Sequence, residues 1–258
     1  MRLLHPFKTR SAKPVALRVP APAKFPARED VEFAASYRQA RLGGDFFDVA
    51  TAPNGRIVFA LLDIAGKRAE ALDIAARVQD TMHASTRQLF SDDVINEAEA
   101  VTELCHRLNV ALIEAAGGPR CSAAFIASYS PAFGTLAYVN AGHMPGFIVD
   151  SRETLLLPAS GVPLGLFTHA LHDAQVGAIG EGEAFIIATR GVAERLSVSG
   201  GFDVEGIGAA ILAADRTSAK ALCEHVLRAA EAQAPTDAND LTVMALVRKV
   251  RAGRAASA

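Results

Sequence analysis

Residues 56–64 read "RIVFALLDI", and residues 57–62 are apolar at every position. A strand with one wet face would alternate apolar and polar side chains; an unbroken apolar run of this length predicts a central strand covered on both faces. The run ends in Asp63, followed by "IAGK". A carboxylate is thereby delivered to the edge of a buried sheet, where it needs a cation or hydrogen-bond donors.

Other elements follow outward from this strand. Val31 to Tyr37 and a segment from Phe46 are predicted strands, separated by Gly43 and Gly44 and closed by a Pro-Asn-Gly turn. Helices are predicted over about 69–89 and 92–115. In the second, Val94, Ala98, Val101, Cys105, Leu108 and Leu112 recur at helical spacing, with Ser91 to Asp93 as candidate caps and Cys105 in the core. Strands are then predicted at "SAAFIASYS", "TLAYVNAG" and "PGFIV", near 173–178, and at 184–189. A helix over about 217–232 and the strand "LTVMALV" close the chain. Clustered strands and clustered helices imply antiparallel sheets flanked by helices, not a parallel sheet. The stretch "FIIATRGVAER", 185–195, is read as a buried strand entering a tight turn, with Arg190 at the strand exit.

The 258 residues, half of them hydrophobic and with a net charge of only −2, suit one large domain with a substantial core and no nucleic-acid partner. The cysteines Cys105, Cys121 and Cys223 form no CxxC pair, so neither a zinc site nor a disulfide framework is expected. No run is long enough to span a bilayer, and the expected location is cytoplasmic. Residues 1–30 are set apart: Arg2, Lys8, Arg10, Lys13, Arg18, Lys24 and Arg28 occur with five prolines and no acid before Glu29. They predict a mobile basic arm ahead of a domain at 31–248 and a basic tail at 249–258. No sensory domain fits before residue 31, so any input is expected through a separate protein or through the arm.

Asp45 and Asp48 in "GGDFFD", Asp63, and Asp240 in "NDLTV" all sit beside turns or buried strand ends. Singly, each reads as a turn residue. Gathered on one sheet edge they would suit a hard divalent cation that activates water toward a phosphoryl group. The Gly-Gly-Asp of "GGDFF" is similar to the turn of diguanylate cyclases, but that chemistry needs an acid where Phe46 stands.

The ordered set "GGDFFDV", "DIAGK", "LN", "YVNAGHMP", "PLG", "GEAFIIATRGVAE" and "NDLTV" resembles the metal-dependent PPM protein phosphatases, in their bacterial SpoIIE and RsbU-like branch. The resemblance implies an α+β fold, a four-layer α-β-β-α sandwich of two antiparallel sheets. It implies Mn²⁺ or Mg²⁺ as cofactors, and a phosphoprotein partner such as a STAS-type anti-anti-sigma factor or its kinase. It makes Asp63 the carboxylate that bridges two metals, the Ile64 carbonyl a second-metal ligand, and Asp45 a neighbour of that metal, leaving Asp48, His143 and Gly191 as accessory residues. His143 is weighed as a general acid and as a structural strand-end residue, with the structural role preferred.

Three positions depart from the family pattern. Arg190 stands where an aspartate normally binds the first metal, Asn239 replaces the first of two adjacent aspartates, and Arg68 replaces a glycine. An arginine cannot deprotonate and pairs well with carboxylates, so Arg190 is expected to contact Asp63 or Asp240 in the place of the first metal, leaving that site empty. The expectation is therefore a pseudophosphatase binding module; the alternative is an active Mn/Mg-dependent phosphatase with an altered metal site, in which Asp240 or Asp237 supplies the missing ligand.

Overall fold

The computed structural model describes residues 17–40, 43–150, 154–197, 204–233 and 239–250. Among the described residues, ten strands form two antiparallel sheets. One contains β1 (Val31–Arg38), β10 (Leu241–Arg248), β9 (Ala184–Ala188), β6 (Gly146–Val149) and β7 (Thr154–Leu157), in that spatial order. The other contains β2 (Asp45–Thr51), β3 (Ile57–Ile64), β4 (Ser122–Ser130), β5 (Thr135–Ala141) and β8 (Gln175–Ala178). Helices α1 (Arg68–Leu89) and α2 (Glu97–Ala116) cover the outside of the β3 sheet; α3 (Arg190–Leu196), α4 (Val204–Leu212) and α5 (Ala219–Glu231) cover the β10 sheet. The expected four-layer α-β-β-α sandwich is the observed fold.

Three apolar clusters explain the layering. Along β3, Val58, Ala60, Leu62 and Ile64 pack with Ile74, Val78 and Met82 of α1 and Leu104 and Leu108 of α2. The alternate residues Ile57, Phe59 and Leu61 face the second sheet. This period-two division explains why the strand is apolar on both faces. Between the sheets an aromatic seam holds the halves together: Phe33 against Phe59 at 4.9 Å between ring centroids, Phe59 against Phe185 at 5.6 Å, and Phe125 against Phe185 at 5.4 Å and Tyr138 at 5.3 Å.

Several local expectations change. After β9 the chain enters α3 instead of a tight turn, with Thr189 at its N-cap. Helix α2 starts later than its periodicity suggested. Asn96 supplies the cap by accepting from the Glu99 N–H, and Val94 lies outside the helix, 95% exposed. The short strand β7 and helices α3 and α4 lacked a readable period. The first arm residues and the C-terminal tail (1–16 and 251–258) lie outside the described residues, as does Asp237. Residues 17–30 lie against the domain. Gln79 exchanges two 2.8 Å hydrogen bonds with the Ala21 backbone, Arg18 pairs with Asp80 at 2.7 Å, and the Phe25 ring packs on Phe33 and Phe47.

Phe125 is fully buried between the sheets. Phe125→Ala is expected to destabilise the domain by about 3–5 kcal/mol, from lost transfer energy and the remaining cavity. Urea denaturation followed by circular dichroism measures it.

Candidate metal-type site between the sheet ends

The ends of β2, β3, β9 and β10 meet between the sheets. Asp45 and Asp63 are register partners across β2 and β3, so their side chains share one face. Asp48, three residues after Asp45, falls on the opposite face. It is buried there against α1, with Oδ2 2.6 Å from His83 Nε2 and Oδ1 accepting from the Val49 N–H. The structure thus separates Asp48 from the site, as strand periodicity requires.

Asp45 Oδ2 accepts the hydroxyls of Thr189, at 2.8 Å, and Thr242, at 2.6 Å. Thr189 makes no capping hydrogen bond to α3; its hydroxyl goes to Asp45. Burial pushes the Asp45 pKa up to about 8, and Asp63 and Asp240 add to the rise, against the two hydroxyls that favour the charged form. Asp63 is half-buried, and burial raises its pKa as well; Arg190 opposes that rise, while Asp240 and Glu194 add to it.

Asp240 is fully buried and fully engaged. Oδ1 accepts from the Ala40 N–H at 2.8 Å and from Arg68 at 2.7 Å, and Oδ2 accepts from the Tyr37 hydroxyl at 3.2 Å. Arg68 also donates to the Tyr37 oxygen and to the Ala40 carbonyl. Arg68 is the first residue of α1, and no side chain caps that helix. A cation at a helix N-terminus opposes the helix dipole, so the favourable interaction of Arg68 is with Asp240.

The expected pairing of Arg190 therefore needs correction. Asp240 takes its cation from Arg68, while Arg190 donates to Glu194 one helical turn on, at 2.8 Å. The reason is spacing: within α3 residues 190 and 194 lie on one face. Arg190 still acts on Asp63 through space. Asn239 joins the same group, its Nδ2 donating to the other Glu194 oxygen at 2.7 Å. Gly191 packs so closely on the Asp240 carbonyl and the Asn239 side chain that a Cβ would clash, which gives it a steric role. Gly43 and Gly44 are likewise required: a Cβ on Gly43 would strike the Asp240 carboxylate, and one on Gly44 the Ile64 carbonyl.

Beside Asp63 opens a cavity of about 510 Å³, lined also by His143, Arg190, Met144 and Pro163. His143 is 5% exposed, and burial lowers its pKa to about 4, so it is neutral near pH 7. Sequence reasoning missed Tyr37, Thr189, Thr242 and Glu194. The two threonines lie within the quoted motifs, but nothing local in a hydroxyl announces a partner across the sandwich.

As arranged, these residues do not fit a pair of divalent ions. Asp240 is already neutralised by Arg68, Asp45 is tied to two hydroxyls, and a guanidinium occupies the Arg190 position. Among the described residues, no three His, Cys, Asp or Glu side chains converge in a manner that could hold a metal.

Residues 53–249 match the family model of stage II sporulation protein E (SpoIIE). The chain belongs to the SpoIIE family. Among solved structures it is similar to the RsbU and RsbW domains of Rv1364c from Mycobacterium tuberculosis: 21% identity, 85% of this chain and 62% of that one, TM-score 0.66. It is also similar to the PP2C phosphatase domain with a regulatory fragment of SpoIIE from Bacillus subtilis, at 13% identity, 85% and 64% coverage and TM-score 0.67. A third is the SiaA PP2C domain of Pseudomonas aeruginosa, at 13% identity, 84% and 86% coverage and TM-score 0.66. This SpoIIE-family chain spans less than two thirds of the first two structures. At these identities the likeness shows the PPM phosphatase fold alone. Two further structures of that fold are described with bound ions, RsbX with magnesium and PstP with two manganese ions. No curated protein sequence matches the chain. No helix among the described residues is long and apolar enough to cross a membrane.

Two outcomes follow from the geometry. The folded pKa of Asp45, about 8, lies above its ordinary 3.8. The native state therefore holds an extra proton between these values, and stability falls as pH rises through that window. Asp45→Asn should flatten this dependence, gaining melting temperature relative to the unmodified chain at pH 8 more than at pH 5. Calorimetry at the two pH values checks this. Arg68→Ala leaves a buried carboxylate without its cation and should cost about 2–4 kcal/mol, measured by urea denaturation. Arg190→Ala should cost under about 1 kcal/mol, as for an exposed pair.

Proposed function

We propose that this SpoIIE-family domain is a pseudophosphatase: a binding module in Ser/Thr phosphorylation signalling of the partner-switching kind, with catalysis lost or strongly impaired. The supporting observation is the Arg68–Asp240 pair. The one carboxylate of the "NDLTV" motif, Asp240, already has a fixed positive partner, so it offers a divalent ion little. Arg190 and Asn239 in the positions of expected ligands support the same reading. A phosphoprotein, such as a STAS-type anti-anti-sigma factor or its kinase, is the proposed partner. The proposed setting is the cytoplasm, and residues 1–16, with their four basic side chains, are proposed as a solubilising tail, with docking on an acidic partner or membrane surface as the alternative. Any residual chemistry would use Mn²⁺ or Mg²⁺ held by Asp63, the Ile64 carbonyl and Asp45, with the first-metal position empty.

The test is hydrolysis of p-nitrophenyl phosphate and of a phosphoserine peptide in millimolar Mn²⁺. The unmodified chain should remain at background. The combined variant Arg68→Gly, Arg190→Asp, Asn239→Asp should gain about tenfold or more. Melting temperature gives an independent readout. A two-ion site near saturation would add several degrees, since native-state ligands stabilise by about 2.7 kcal/mol at a hundredfold excess over Kd. The unmodified chain should shift by less than about 2 °C. Turnover by the unmodified chain, abolished by Asp63→Ala, would replace this reading with an active phosphatase whose metal site is altered.

A further inference from the structure

The cavity beside Asp63 has walls that select the charge of its occupant. Its sides include Met144, Pro145 and Pro163, and its polar lining includes Asp63, His143 and Arg190. Among the described residues no hydrogen bond reaches the Asp63 carboxylate, which leaves it an acceptor without a donor. The His143 Nδ1 lies 3.2 Å from the Met144 carbonyl, and a carbonyl can only accept, so this nitrogen carries the proton. Nε2 is then the acceptor nitrogen, and it is buried with no partner. Arg190, the cationic wall residue, is held by Glu194. Around this end of the sandwich the carboxylates of Asp63, Glu194 and Asp240 outnumber the guanidiniums of Arg190 and Arg68.

A phosphate dianion brought beside Asp63 and His143 would turn acceptors toward an acceptor and a like charge, with Arg190, already engaged by Glu194, as the opposing cation. A guanidinium carries five donors in a planar fork that matches a carboxylate, and its aliphatic stem suits walls of Met and Pro. A lysine offers the same charge without the fork.

We propose that the cleft receives an arginine side chain of a partner protein, its guanidinium paired with Asp63 where an active relative would place cations. The inference rests on the pseudophosphatase reading, since Asp63 is available to a side chain only if no pair of ions occupies it. Binding at this point is then specified by a basic residue of the partner and opposed by a phosphate there.

The experiment titrates the full chain with three fluorescent hexapeptides, identical except for arginine, citrulline or phosphoserine at one central position, and follows anisotropy. The arginine peptide should bind, and citrulline, which keeps the shape but loses the charge, should weaken binding by about tenfold or more. Asp63→Asn should cause a similar loss. Arg190→Ala should keep or tighten binding, because it removes a like charge. Melting curves establish that each variant is folded, and the citrulline comparison needs no variant at all. The proposal is overturned if the arginine peptide fails to bind at millimolar concentration, or binds equally with citrulline in its place or with Asp63→Asn. Capture of the phosphoserine peptide that disappears in Arg190→Ala also overturns it, while leaving the pseudophosphatase reading intact. Mn²⁺-dependent turnover by the unmodified chain would overturn both.

Discussion

A carboxylate taken out of water must be met by a positive charge or by hydrogen-bond donors, and this end of the sandwich is organised by that requirement. Two sheets, packed through Phe33, Phe59, Phe125 and Phe185, bring four strand ends together, and three of those ends deliver or adjoin an aspartate. In a binuclear centre, divalent ions would meet the requirement. Here Arg68 meets it for Asp240, two threonine hydroxyls with proton uptake meet it for Asp45, and Asp63 is left facing a cavity with Arg190 nearby.

The three solutions differ physically. Arg68 brings a fixed charge that no change of pH removes, and it also ties down Tyr37 and the Ala40 carbonyl, coupling α1 to the strand ends. The threonines bring only dipoles, which are too weak to keep Asp45 ionised against burial. Arg190 is half-exposed and shared with Glu194, so it tunes the field at Asp63 without satisfying it. A compensated scaffold of this kind can keep its fold without ions.

The departures at Arg68, Arg190 and Asn239 were visible in the sequence, but their roles there were not. Charge reasoning assigned Arg190 to an aspartate because its position in the motif was that of a ligand. Helix geometry instead set it one turn from Glu194, while Arg68, two residues after Gly66 at the start of α1, reached Asp240 across 172 positions of sequence. Likewise Asp48 belonged to the motif "GGDFFD" but lies on the wrong face of β2 to join Asp45. Motif membership locates a strand end; the parity of the strand decides which side chains enter the site.

The sequence by itself determined the elements. Two-sided apolar strands, amphipathic helices and their order imply antiparallel sheets flanked by helices, because hydrophobic periodicity is a local property that burial must satisfy, and the resemblance of the motifs implied their face-to-face packing. It also marked which acidic residues would sit at strand ends. Only the tertiary structure decided which charge answers which, and it did so through helix starts, sheet register and hydroxyls from another sheet. Those contacts depend on a few ångströms between segments far apart in the chain, and no local pattern of residues encodes such distances.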